Sequence, residues 1–219
     1  MVDFPPVPHS RMDKRHFLGA ALLTGAAPAF ASQPAARAAG PTAGPTSGPV
    51  AGPTSGPVLL TITGAITRSN RGALDPALDQ MMAKQKLAFD RAYVLDFAAL
   101  AALPARTIRP TLEYDGKPHT LRGPLLADVL AQAGARPRDA AKVLMRAVDG
   151  YAAVLEMRQL RAWNFIVATH LDGKPIPLGG LGPLWAVYDA DRVPEMAALP
   201  VAQRFGACPW ALYHLEVMA

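Results

Sequence analysis

The segment Thr107–Leu155, TIRPTLEYDGKPHTLRGPLLADVLAQAGARPRDAAKVLMRAVDGYAAVL, restricts the folds open to this chain more than any other stretch. It reads as strand, turn, strand, short helix, then a strand running into a second turn. Asp115-Gly116 is a hairpin signal between two alternating apolar runs, because a glycine there accepts the positive φ that a tight turn needs. Arg122-Gly123-Pro124 is expected to break the strand, with Pro124 in the first turn of a helix, where its missing N–H costs nothing. Leu125, Leu126, Val129 and Leu130 supply the apolar stripe of that helix, and Gly134 stops it. Val143–Val148 is a strand that ends at Asp149-Gly150-Tyr151.

The rest of the chain extends the pattern. Val58–Ile66 alternates Leu and Ile with Thr and forms an opening strand. Asn70-Arg71-Gly72 marks a turn, and Pro76–Lys86 reads as a helix with Leu78, Met81 and Met82 inside. Asp96 caps a short helix, Phe97–Ala102, that ends at Leu103-Pro104. Leu155–Leu160 is read as a strand with a helical turn after it, and Asn164–Leu171 as another strand before the Asp172-Gly173 turn. Pro175–Val187 is a Gly- and Pro-rich loop entering the strand LWAVY, and Ala211–Val217 closes the domain. Many short strands, few helices and Gly/Pro-rich turns indicate an α+β domain on a mixed sheet, spanning residues 58–219.

The order of these motifs resembles the oxidoreductase molybdopterin-binding domain family, of the sulfite oxidase fold, and in particular its small exported single-domain members. The resemblance runs from about Leu59 to Val217. It rests on the L-x-G-P-L-L-x-D-V-L segment before the Asp-Gly-Tyr turn, the FxxLxxLP element at Phe97–Pro104, and the G-P-L-x-x-V-Y run at Gly182–Tyr188. It also rests on Cys208-Pro209-Trp210-Ala211-Leu212, similar to a closing S-V-W-x-L motif whose Trp packs on the core. Catalytic members hold molybdenum through a cysteine thiolate near the strand after the LP-containing helix. Here that strand is Thr107–Tyr114, and it has no cysteine. Neither Thr111 nor Glu113 replaces a soft thiolate. The resemblance further implies that Tyr151 lines a cleft as a phenol donor, with Asp149 ordering the turn. The residue-based alternative is a turn with Tyr151 packed on the sheet and its hydroxyl wet. Arg122 is the third candidate ligand contact.

Other chemistries are poorly supported. One cysteine, Cys208, rules out an intramolecular disulfide, and no Cys/His cluster has zinc spacing. Cys208 and His214 stand six residues apart, up to ~20 Å on an extended chain, so they make no nucleophilic pair. His119, His170 and His214 fall on three separate strands by this reading, without local metal spacing. The Gly179–Leu184 loop lacks the Lys-Ser/Thr of a phosphate cradle. The formal charge of +5 is carried by scattered arginines without interleaved aromatics, which argues against a nucleic-acid partner.

The N-terminus carries its own signals. Residues 1–31 have the parts of a secretory signal: Arg11, Lys14 and Arg15, then an apolar stretch from Phe17 to Ala27 too short for a bilayer span, then Ala29-Phe30-Ala31. Asp13–Leu18 resembles a twin-arginine export motif with lysine for the first arginine; an ordinary signal peptide fits as well. Residues 32–57 are a spacer in which AGPTSGPV occurs twice, too rich in Pro and Gly for helix or sheet. The expectation is an exported, periplasmic domain without a transmembrane segment. It has lost the molybdenum thiolate and serves as a non-catalytic accessory that binds a small-molecule ligand or a periplasmic protein partner. No cofactor is expected on that reading; molybdopterin enters only through the resemblance. The alternatives are a molybdopterin-dependent oxidoreductase with an unconventional ligand set, and a tethered interaction module of the cell envelope.

Overall fold

The first and last strands of the domain lie side by side. Val58–Gly64 (β1) pairs in parallel with the final strand, Leu212–Val217 (β11), and this pair forms the centre of a five-stranded sheet. The computed structural model describes residues 55–218; the expected signal at residues 1–31 and spacer residues 32–54 lie outside the described residues. The intervening elements, in chain order, are Gln80–Lys84 (α1), Tyr93–Asp96 (β2), Phe97–Ala101 (α2), Ala105–Ile108 (β3), Leu121–Pro124 (β4) and Leu126–Gln132 (α3). They are followed by Lys142–Ala147 (β5), Ala152–Glu156 (β6), Met157–Ala162 (α4), Ile166–Ala168 (β7), His170–Leu171 (β8), Lys174–Pro175 (β9), Trp185–Val187 (β10) and Pro194–Ala197 (α5). The large sheet runs β2-β1-β11-β5-β6, mixed because only β1 and β11 are parallel. A four-stranded sheet runs β3-β4-β8-β9, and β10 pairs with β7. The domain is therefore α+β with a mixed sheet, as expected.

Both faces of the central strands are covered. Leu60 and Ile62 are fully buried, and Thr61 and Thr63, which alternate with them, are buried as well. Alternating apolar and polar residues usually mean one wet face; here Thr63 instead spends its hydroxyl on His214 of β11, 2.9 Å away. The core continues through Leu121, Leu126, Leu130, Met145, Met157, Phe165, Trp185 and Tyr188.

Several expectations need correction. Arg122-Gly123-Pro124 does not break a strand: all three belong to β4, facing β3 in the register Arg106↔Gly123. The glycine is there for space, since a Cβ on it would lie 1.9 Å from the Val167 carbonyl oxygen of β7. Pro124 ends β4, and α3 begins only at Leu126, whose N–H bonds the Phe165 carbonyl (2.8 Å). The helix expected over Pro76–Lys86 shrinks to α1, because Asp75 holds residues 75–78 in a turn by accepting from the Ala77 and Leu78 amides. Only Met82 of its three apolar residues is buried; Leu78 and Met81 are exposed. The strand after Gly150 is Ala152–Glu156 rather than Leu155–Leu160, because pairing with β5 starts at the turn itself. β2, which carried no strong alternation, went unanticipated. The Asp96 cap stands: its Oδ1 accepts from the Ala99 amide (2.8 Å), and its Oδ2 accepts from Ser55 and Gly56 at the end of the spacer.

Candidate functional site

The Asp149-Gly150-Tyr151 turn is built as its residues require. Gly150 adopts φ 93, a region that side chains disfavour. Asp149 Oδ1 accepts from the Tyr151 amide (2.8 Å), and the Gly150 amide donates to Ala147 (3.0 Å). The register of β11 on β5, with Leu212 opposite Ala147, brings Trp210 and its neighbours to this turn. The Val148 amide closes the junction on the Ala211 carbonyl (3.1 Å).

A second wall comes from the hairpin after β3. Leu112 and Lys117 hydrogen bond across the Asp115-Gly116 turn, so Glu113 and Tyr114 stand at its tip. The expected strand Thr107–Tyr114 is β3 only as far as Ile108, with Thr111 bridging Pro118 beyond it. Asp191 ties the walls together. One carboxylate oxygen accepts from the Thr111 amide (2.7 Å) and the other from the Arg204 guanidinium (2.7 Å). Arg204 also donates to the carbonyls of Leu199 and Ala197, which fixes the segment carrying Phe205 and Gly206.

These pieces enclose a cleft of about 240 Å³ lined by Glu113, Tyr114, Asp149, Tyr151, Phe205 and Trp210, with Cys208 beneath. Two of the three expected site residues, Asp149 and Tyr151, therefore share a cleft. Arg122 does not join them. It lies on β4 between Thr107 and His170, and its carbonyl accepts from the Thr169 amide. The Tyr151 hydroxyl donates to the Gly206 carbonyl, so the phenol proton is engaged within the protein and the ring is held as one wall of the cleft. Glu113, Tyr114, Phe205 and Trp210 were not singled out as site residues from sequence. The available signal was a Glu-Tyr pair set directly before a tight turn.

Electrostatics distinguish this cleft. No Lys, Arg or His lines it, and neither Glu113 nor Asp149 forms an ion pair among the described residues. Partial desolvation of its half-buried ring, reinforced by the adjacent Glu113 carboxylate, pushes the Tyr114 phenol up to about 12. Burial also pushes the Cys208 thiol far up, leaving it protonated and poorly nucleophilic. Trp210 does not pack on the core as the closing motif implied. It is exposed, and the core indole is Trp185, which donates to the Cys208 carbonyl (2.9 Å).

The histidines lie apart. His119, in a loop rather than a strand, bridges Asp115 (3.0 Å) and Asp172 (2.7 Å). His170 bonds Thr169 (2.8 Å), and His214 is buried in the large sheet. Among the described residues no group of three His, Cys, Asp or Glu side chains converges as a metal site. Two larger depressions, about 760 and 500 Å³, share Trp163 as a wall. No helix among the described residues is long and apolar enough to cross a membrane.

A scan against models of known protein families returns no match, and a comparison with curated proteins returns none either. Among solved structures, the chain is similar to the sulfane dehydrogenase SoxCD from Paracoccus pantotrophus, at 13% identity and a TM-score of 0.47. The likeness covers 73% of this chain and 37% of that one, so the chain spans little more than a third of that structure's length.

Proposed function

We propose that this protein is an exported, non-catalytic binding domain of the sulfite oxidase fold. On this reading it keeps a cleft beside the Asp-Gly-Tyr turn but lacks the means to hold molybdenum there. The single observation that carries the reading is the donor set of the cleft. A molybdenum–pterin group needs a soft thiolate for the metal and positive or N–H donors for its anionic phosphate. The cleft offers Glu113 and Asp149, which would repel that phosphate, and phenols whose hydroxyls are engaged or held protonated. Its one thiol, Cys208, is buried and kept protonated. These residues do not fit the group; the larger depression lined by Arg106, Arg109 and Arg192 offers cations for a phosphate but no thiolate for the metal, and no redox step is derived through the group. Export is supported by the sequence pattern of residues 1–31.

The test is molybdenum by mass spectrometry, together with the fluorescence of oxidised pterin, on full-length protein recovered after export from its own cell type. Folded protein with neither is the expected result. Near-stoichiometric molybdenum and pterin would overturn the proposal and favour an oxidoreductase with an unconventional ligand set.

A further inference from the structure

The large aromatic side chains that the described residues leave exposed are Tyr114 (55%), Tyr151 (49%) and Trp210 (38%), and all three line the same small cleft. Scattered exposed apolar residues carry no meaning; three aromatic rings converging from sequence-distant segments do. Phe205 adds a buried ring to the wall. The only charges in the lining are the carboxylates of Glu113 and Asp149, which form no ion pair among the described residues, Asp149 being held by the Tyr151 amide.

We infer that this cleft binds an organic ammonium ion, a small molecule whose cationic nitrogen carries methyl or methylene groups. The inference rests on the preceding reading that the cleft holds no molybdenum centre. Ring faces carry negative electrostatic potential and attract a cation within about 6 Å, and they also pack well against its methyl groups. Glu113 and Asp149 supply the counter-charge. The alternatives fail on the same residues. An anion finds no positively charged donor. A neutral apolar ligand would cover the two carboxylates without pairing them, at a cost in desolvation. A hard metal ion needs six or more oxygen ligands or retained waters, and among the described residues no third carboxylate or His joins Glu113 and Asp149 to hold one. The volume, about 240 Å³, is below the roughly 300–1,000 Å³ of pockets for drug-sized ligands, which suits a head group of this size. The Tyr151–Gly206 hydrogen bond pre-sets one ring, reducing the ordering cost of binding.

The experiment uses the full chain and choline as probe, followed by calorimetry and by tryptophan emission. The comparison ligand is the neutral carbon isostere of choline, in which a quaternary carbon replaces the nitrogen. Choline is expected to bind saturably and at least about tenfold more tightly than the isostere, with an affinity that falls as salt is added. Tyr114→Leu and Trp210→Leu should each weaken choline about two- to fivefold, and Glu113→Gln should weaken choline while leaving the isostere unchanged. Both rings are exposed, so the urea midpoints of these variants should match that of the parent. If one variant is destabilised, the other two carry the test. Equal binding of choline and the isostere, or binding of sulfate in preference to choline, would overturn the inference. Molybdenum-free protein that fails to prefer choline refutes this inference alone, whereas stoichiometric molybdenum refutes the reading beneath it.

Discussion

His214 should make this domain sensitive to acid well above the range in which carboxylates titrate. It is 1% exposed on β11, with β1 on one side and β5 on the other. Its Nε2 lies 2.9 Å from Thr63 Oγ1, its Nδ1 has no partner among the described residues, and Arg146 stands opposite on β5. Burial first, and then the Arg146 charge, push the imidazole down from 6.5 to about 4. The folded value lies below the unfolded one, so between them the unfolded chain binds a proton that the native protein refuses. Stability is therefore lost as pH falls from 6.5, and the loss is complete below about 4. The full penalty is about 3 kcal/mol, of which about 2 kcal/mol is reached by pH 5. With a urea dependence of about 2 kcal/mol per molar, the midpoint at pH 5 falls by about 1 M relative to neutral pH.

The assay is urea unfolding followed by tryptophan emission between about pH 7.5 and 4.5, for the parent and for His214→Gln. Over that range the carboxylates of Asp79, Asp96, Asp115 and Asp172 stay ionised, since their values are lowered below 3.8. His119 acts in the opposite sense. Its hydrogen bonds to Asp172 and then Asp115 raise its value above 6.5, so its contribution is present in acid and lost as pH rises through the folded value. That contribution is common to both proteins and cancels in the difference. Parallel curves for the parent and His214→Gln down to pH 4.5 would refute the reasoning.

Two further outcomes follow from packing. Gly123→Ala sets a methyl group against the Val167 carbonyl and should cost about 3 kcal/mol, read as a fall of about 10 °C in Tm. An unchanged Tm would mean that β4 and β7 separate freely. Iodoacetamide should leave Cys208 unlabelled in native protein and modify it only in denaturant, whereas rapid native labelling would show a floor open to solvent.

Features governed by a few neighbouring residues were legible in the sequence. The Asp96 cap, the Leu126–Val129–Leu130 face of α3 and the three Asp-Gly turns each depend on interactions within about four residues, and all appear in the structure. The opening and closing strands were legible too, though not that they pair with each other. The misreadings fall where distant chain segments decide. Gly123-Pro124 has the local chemistry of a break, but β3 pairs with it and the Val167 carbonyl occupies the space a side chain would need. Trp210 and Trp185 are equally apolar, yet Trp185 is fully buried in the core and Trp210 is exposed at the cleft. The cleft likewise depends on register, because Tyr114, Tyr151 and Trp210 meet only through the pairing of β11 with β5 and the Asp191 tie between Thr111 and Arg204. Local sequence determined the turns, the cap and the short helix. Long-range strand pairing decided which rings and which charges share a surface, because side-chain convergence is a property of the assembled sheets rather than of any one segment.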